Sequence, residues 1–120
     1  MTTDDPLDEA GAIDWDAWER LLRARGVVID RPRGHAHPRF PEMIYPLDYG
    51  YLPGTVGGDG AEVDVFLGSG DSGLSAALIT HDLAKGDREL KLLWNTTEAE
   101  SAAACAFLQR DNMRVELRHR

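Results

Sequence analysis

Apolar residues occur in short runs that Pro and Gly interrupt, and this pattern constrains the fold of the chain more than any other feature. β-Branched and aromatic side chains are frequent in these runs, which predicts short strands. The predicted strands are residues 27–30, 43–52, 62–67, 74–80, 88–94 and 113–117. Pro53-Gly54 is a turn signal, and Lys85-Gly86 predicts a hairpin between the fourth and fifth runs. The chain is therefore expected to be mainly β.

Two helices are predicted, one near each end of the chain. Asp14 is placed to cap a helix that runs to about residue 25, where Gly26 suits its end. Thr97 and Glu100 form a capping-box pattern that opens an Ala-rich helix to about residue 110. Short strands with a helix near each end predict an α+β, mainly β fold. We expect a small twisted or barrel-like sheet with flanking N- and C-terminal helices packed outside it.

Length and charge limit the domain organisation and the classes of partner. A chain of 120 residues suits one domain, which we place at residues 13–120 after a flexible acidic tail of residues 1–12. Six of the 21 acidic residues fall within residues 1–16, which hold no Lys or Arg, and this leaves 15 acidic against 13 basic residues in the rest. Nucleic acid is not expected as a partner, because binding to its phosphate backbone needs clustered Lys and Arg.

The compartment is predicted from apolar runs and cysteine usage. The chain has no apolar span long enough for a membrane helix and no apolar signal region after Met1. Its single cysteine, Cys105, cannot form an internal disulfide, which is typical of a reducing compartment. We therefore expect a cytoplasmic protein with no membrane partner.

Two groups of acidic residues are candidates for metal binding. Asp59 sits in a turn, and Glu62 and Asp64 share one face of the strand that follows. Asp82 and Asp87 flank the hairpin connection and face each other across it. Two carboxylates about 4 Å apart repel by roughly 4 kcal/mol at an effective dielectric constant near 20. Convergence of these groups would therefore favour a divalent cation such as Mg²⁺, although each group taken alone is more typical of ordinary turn chemistry.

The residues around the first acidic group resemble a known signature. The segment consists of Tyr45-Pro46-Leu47-Asp48-Tyr49-Gly50-Tyr51, then Pro53 and Thr55, then Asp59-Gly60-Ala61-Glu62-Val63-Asp64-Val65. Its order and spacing are similar to those of the soluble (family I) inorganic pyrophosphatases. Asp82, Asp87 and Lys91 resemble a later acidic segment of that family, and residues 27–30 resemble its early strand.

The resemblance implies a fold, a cofactor and a set of ligands. The implied fold is a five-stranded, OB-like barrel with flanking helices, and the implied cofactor is Mg²⁺, with Mn²⁺ or another divalent cation as alternatives. The implied metal ligands are Asp59, Asp64, Asp82 and Asp87, with Asp30 as a supporting acidic residue. Tyr49 would line the site and Lys91 would contact phosphate. Homo-oligomer formation is common among relatives and is left open for this chain.

The chain departs from the family pattern at one acidic position and in one segment. Ala61 stands where the family has an Asp that binds metal and accepts a proton from the attacking water, and Glu62 is the nearest replacement. The segment 31–44 lacks the Lys-x-Glu strand of the family but is rich in basic residues that could supply positive charge. Arg39 and His37 are the candidates in this segment for binding substrate.

These residues predict Mg²⁺-dependent hydrolysis of inorganic pyrophosphate to two phosphates by a metal-activated water. Glu62, Asp64 and Tyr49 are the candidate catalytic residues, with Glu62 and Asp64 as alternatives for the base. The other hypotheses are a hydrolase of another phosphoanhydride or phosphoester, and an inactive metal-binding or interaction protein on the same fold. His37 is equally typical of a solvent-facing loop, and Lys91 is equally suited to pairing with acidic residues on its own strand face.

Overall fold

The computed structural model describes residues 12–57 and 60–120. In chain order the elements are α1 (Trp15–Arg25), β1 (Val28–Arg31), β2 (Asp48–Leu52), β3 (Val63–Leu67), β4 (Leu74–Asp82), β5 (Asp87–Trp94), α2 (Glu98–Leu108) and β6 (Met113–His119). The predicted tail of residues 1–12 lies outside the described residues except for residue 12, and Asp59 lies outside them as well. Neither helix of the described part is long and apolar enough to cross a membrane.

Both helices begin where the capping residues predict. The Asp14 carboxylate accepts a hydrogen bond from the backbone N–H of Ala17 at 3.1 Å, which satisfies one of the unpaired donors of the first turn of α1. At the start of α2 the Thr97 hydroxyl accepts from the Glu100 N–H at 3.2 Å, and the Glu100 carboxylate accepts from the Thr97 N–H at 2.9 Å. This reciprocal pair is the predicted capping box, so both starting points are confirmed.

The strands of the described residues form one six-stranded mixed sheet in the order β1-β2-β3-β5-β4-β6. β3 and β5 pair in parallel, whereas the other neighbouring strands pair in antiparallel orientation. The predicted hairpin is the β4–β5 pair, in which Asp82 lies opposite Asp87. The mainly β, α+β fold is confirmed. The sheet is open, with β1 and β6 at its edges, and has six strands where the resemblance implied a barrel of five.

Residues 43–47, expected at the start of a long strand, instead belong to a folded-back loop, and β2 begins at Asp48. Backbone hydrogen bonds hold the two arms of this loop together: the Gly34 N–H donates to the Tyr45 carbonyl, and the His37 N–H donates to the Met43 carbonyl. Ala36 and Ile44 form an isolated antiparallel bridge in the same loop. The segment thus pairs with itself, and its backbone groups are satisfied without joining the sheet.

The sheet is covered by a helix on each face. On one face, Trp18 and Leu22 of α1 pack into a buried cluster with strand residues that include Leu52, Val65, Ile79 and Leu92. On the other face, Ala104 of α2 packs into a second cluster that includes Tyr45, Phe66, Leu78 and Leu93. Because α2 covers only the part of this face that is apolar, the polar part toward the β4–β5 hairpin is left to line a cleft.

Gly50 fixes how closely β1 approaches β2. A Cβ atom at this position would lie 1.8 Å from the carbonyl oxygen of Val28 and 2.8 Å from the Cα of Ile29. No side chain tolerates such contacts, so only glycine allows this pairing. The close approach sets Arg31 of β1 opposite Tyr49 of β2, and in this way it positions one basic side chain of the cleft.

Candidate anion-binding cleft

A cleft of about 750 Å³ lies over the polar part of the sheet face. The 34–45 loop forms one wall, the end of α2 with the turn before β6 forms another, and the β4–β5 hairpin lies at the edge. Its basic and imidazole side chains are Arg31, His37, Arg39, Lys85, Lys91 and Arg110, its acidic ones are Asp82, Asp87, Glu89 and Asp111, and its aromatic ones are Phe40, Tyr45 and Tyr49. The cleft thus combines a majority of cationic groups with aromatic surface, which suits an anionic ligand.

Lys91 is buried in the floor of the cleft and is held by three polar groups. Its side chain is 9% exposed, and its Nζ donates to Asp64 Oδ2 at 2.6 Å and to the Tyr49 hydroxyl at 2.9 Å. Glu89 Oε2 lies 3.7 Å from the same Nζ. Asp64 and Lys91 are direct partners in the parallel β3–β5 register, which brings the two side chains to the same face. The ammonium group is therefore fixed in place rather than free to sweep the cleft.

The protonation states of this cluster follow from its surroundings. Burial by itself would lower the pKa of Lys91, but Tyr49 and the carboxylates of Asp64 and Glu89 outweigh it, so the pKa of Lys91 is raised and the ammonium stays charged. Burial raises the pKa of the Tyr49 hydroxyl despite the nearby Lys91 charge. Tyr49 therefore remains a neutral hydroxyl near pH 7 and can serve as a hydrogen-bonding group but not as a base.

Arg31 adds a second oriented cation beside the first. Its Nη1 donates to the Tyr45 hydroxyl at 2.5 Å, and its Cζ lies 5.7 Å from the ring centroids of both Tyr45 and Tyr49. These cation–π contacts and the hydrogen bond hold the guanidinium against the aromatic wall of the cleft. The two tyrosines thus place Arg31 and Lys91 around one region of the floor.

The 34–45 loop contributes His37, Arg39 and Phe40. The Nδ1 atom of His37 accepts a hydrogen bond from the backbone N–H of Arg39 at 3.0 Å, which assigns the proton of the neutral ring to Nε2. Burial lowers the pKa of His37, and the positive charges of Arg31, Arg110 and Arg39 lower it further. A histidine surrounded by cations therefore stays neutral near pH 7.

Asp82 and Asp87 lie opposite each other at the hairpin and both line the cleft. Asp82 Oδ1 accepts hydrogen bonds from the backbone N–H groups of Ala84 and Lys85, at 3.0 and 3.1 Å. This oxygen therefore has the turn role that the sequence also suggested. Asp87 is exposed, and Lys85 from the same connection lines the cleft beside the two aspartates.

The other predicted ligands are placed differently. Asp64 does not line the cleft itself and reaches it through Lys91. Asp30 and Glu62 are exposed and do not line the cleft either. Among residues 12–57 and 60–120, no three carboxylate, imidazole or thiol groups come together so as to hold a metal ion. The metal-ligand roles of these residues, including Asp59, therefore stay predictions.

Solved structures provide the comparison for this architecture. One is an inorganic pyrophosphatase of Coxiella burnetii, which matches with a TM-score of 0.57 and 16% sequence identity over 78% of this chain and 82% of that chain. Another is the inorganic pyrophosphatase of the pathogenic bacterium Helicobacter pylori, with a TM-score of 0.53 and 16% identity over 78% of this chain and 81% of that one. The chain has the fold of these bacterial pyrophosphatases. No protein-family model and no curated protein sequence matches it.

Three cationic residues of this cleft, Arg31, Lys85 and Arg110, were not among the predicted site residues. Arg31 was counted only with the basic residues of the segment 31–44. Lys85 was assigned only to the hairpin connection, although its place between Asp82 and Asp87 was a signal that could have been used. Arg110 was assigned only to the end of a helix. Its guanidinium lies in the cleft, 4.3 Å from the centroid of the Phe40 ring. No local sequence pattern indicates this contact, because the two residues are far apart in the chain.

Proposed function

We propose that the cleft binds inorganic pyrophosphate, or another small phosphorylated compound, and hydrolyses it with Mg²⁺ as cofactor. The observation that supports this function best is the group of oriented cations around the cleft floor, on a fold shared with bacterial pyrophosphatases. Lys91 and Arg31 are held by hydrogen bonds before any ligand arrives. Cations positioned in advance stabilise the charge of a transferring phosphoryl group without reorganising during the reaction.

The chemistry of the hairpin carboxylates fits Mg²⁺ that arrives with a phosphate ligand. Mg²⁺ is usually bound by one or two carboxylates together with waters and substrate phosphates, and not by a cage of protein groups alone. Asp82 and Asp87 supply such a pair at the edge of the cleft. When bound there, Mg²⁺ would neutralise phosphate oxygens and make a coordinated water more acidic. We keep Asp59, Asp64 and Asp30 as predicted further ligands.

The side chains of the cleft would divide the remaining work. Lys91, Arg31 and Arg39 would bind the phosphate oxygens, and the Nε2–H of His37 would donate a further hydrogen bond. The water oxygen would form a bond to one phosphorus atom, the bond from that phosphorus to the bridging oxygen would break, and two phosphates would leave. The proton of the water would pass to a carboxylate; Glu62 and Asp64, which do not line the cleft themselves, are kept as the candidates that the sequence suggests.

The test is release of phosphate from pyrophosphate, measured with and without Mg²⁺. We expect Mg²⁺-dependent release by the wild type, and a decrease in kcat/KM of about 100-fold or more in Lys91→Met, since one oriented charge is removed. Arg31→Gln should also weaken the reaction, whereas the matched change Arg20→Gln, at an exposed position on α1 away from the cleft, should not. Absence of both turnover and pyrophosphate binding in the wild type would refute the proposal.

One observation favours a second candidate, a protein that binds phosphorylated anions without turnover. The Asp64 carboxylate is engaged by Lys91 at 2.6 Å, and Ala61 supplies no carboxylate where the resembled family has one. This candidate predicts that calorimetry detects pyrophosphate binding while phosphate release stays at the rate of the buffer. The same two measurements therefore separate the two functions.

A further inference from the structure

The cleft is larger than pyrophosphate requires. Its volume of about 750 Å³ falls in the range of roughly 300–1,000 Å³ that is typical of sites for whole organic ligands. If each of the seven oxygens of pyrophosphate takes the share of one water molecule, about 30 Å³, the anion occupies roughly 200 Å³. Even with metal-bound waters added, a large part of the cleft is left for something other than phosphate.

That remaining part has a different chemistry from the floor. Phe40 and Met43 of the loop, Leu108 at the end of α2 and Met113 at the start of β6 all line the cleft and are only half-buried. We call these four residues, which come from the loop and from the α2–β6 side of the cleft, the apolar wall. Contact between such a surface and water is unfavourable, so an apolar or aromatic group that covers it lowers the free energy by removing both surfaces from water.

The apolar wall also carries a planar cation. The Arg110 guanidinium lies 4.3 Å from the centroid of Phe40, and its Nη1 is 3.5 Å from the sulfur of Met43. Arg39 lies over the same ring at 5.8 Å. Flat guanidinium and phenyl groups stack well on planar rings, particularly on electron-rich heterocycles. The wall therefore suits a planar ring better than a flexible aliphatic chain.

The cationic floor, by which we mean Lys91 and Arg31, and the apolar wall belong to one continuous surface. Ring contacts run from Tyr49 to Tyr45, from Tyr45 to His37 and from His37 to Phe40, with centroid separations of 5.0, 6.1 and 5.2 Å. Lys91 lies at the first end of this row, 5.5 Å from the Tyr49 ring, and Arg110 lies at the other. A ligand with phosphates at one end and a ring at the other matches this order of groups.

We infer that the preferred ligand of the cleft is an organic diphosphate that carries a planar ring, of which a nucleoside diphosphate is the representative. The inference rests on the proposed function, because it takes the cationic floor as the place where the phosphates bind. The ring would lie against the apolar wall and beside Arg110, and the diphosphate would lie near Lys91 and Arg31.

The test compares three probes by titration calorimetry without Mg²⁺, so that the proposed Mg²⁺-dependent hydrolysis does not consume them: pyrophosphate, methyl diphosphate and adenosine diphosphate. We expect the nucleoside diphosphate to bind about 10-fold more tightly than pyrophosphate or methyl diphosphate, a difference of about 1.4 kcal/mol. Phe40→Ala should reduce this preference to about twofold or less. Ile44→Ala is the matched control, since Ile44 lies in the same loop, is 51% exposed and does not line the cleft; it should keep the preference.

The outcomes separate the inference from the function on which it rests. If pyrophosphate binds and the nucleoside diphosphate binds no more tightly, the inference is overturned and the proposed function stands. If none of the probes binds, both are overturned. If the nucleoside diphosphate is preferred but Phe40→Ala keeps that preference, the assignment of the ring to the apolar wall is overturned.

Discussion

Replacement of Lys91 by Met tests the electrostatics of the cleft floor through stability alone. The substitution keeps an unbranched side chain of similar length but removes the ammonium, so Asp64 loses a donor at 2.6 Å and the Tyr49 hydroxyl loses one at 2.9 Å. Breaking a buried ion pair by removing one partner costs about 3–5 kcal/mol. Because the side chains of Asp64 and Glu89 are 27% and 23% exposed, water recovers part of this loss, and we expect about 2–3 kcal/mol.

The assay is urea unfolding near pH 7. The slope of the transition must be the same in variant and wild type, because only then does a change in the urea midpoint report a change in stability. Asp64→Asn and the double variant Lys91→Met/Asp64→Asn complete a double-mutant cycle. We expect a coupling free energy between Lys91 and Asp64 of about 1–3 kcal/mol. A coupling below about 0.5 kcal/mol would show that the reasoning is wrong.

Three further changes test other parts of the structure. Gly50→Ala should destabilise the protein by about 2–4 kcal/mol, because the new methyl group meets the Val28 carbonyl and must push β1 away from the sheet; a change in melting temperature below 2 °C would contradict this. Thr97→Ala should cost about 1 kcal/mol by removing the capping box, while Thr97→Ser should restore most of it. Since the pKa of His37 is lowered in the folded state, wild type should lose stability as the pH falls below about 6.5, and His37→Gln should lose less over the same range; equal losses in the two proteins would contradict the assignment.

The elements of secondary structure could be predicted because their signals are local. Asp14 and the Thr97–Glu100 pair act within three residues of their partners, so both helices were found at their starting points. Alternating side chains and turn residues likewise indicated the strands and the hairpin between Asp82 and Asp87. Residues 43–47 were assigned wrongly to a strand, because their backbone pairs with the other arm of their own loop and no propensity reports that choice.

The chemistry of the site depended on contacts between distant parts of the chain. The parallel pairing of β3 with β5 sets Lys91 opposite Asp64, 27 residues earlier. From the sequence, Lys91 was equally suited to binding phosphate and to pairing with acidic residues on its own strand. The strand pairing makes it a buried cation that is held in place by Asp64. Arg110 reaches Met43 across 67 residues of sequence. The helices, the strands and a set of acidic and basic residues suited to phosphate chemistry follow from local sequence patterns alone. The order of the strands, which local patterns do not encode, decided which of those residues meet in the cleft.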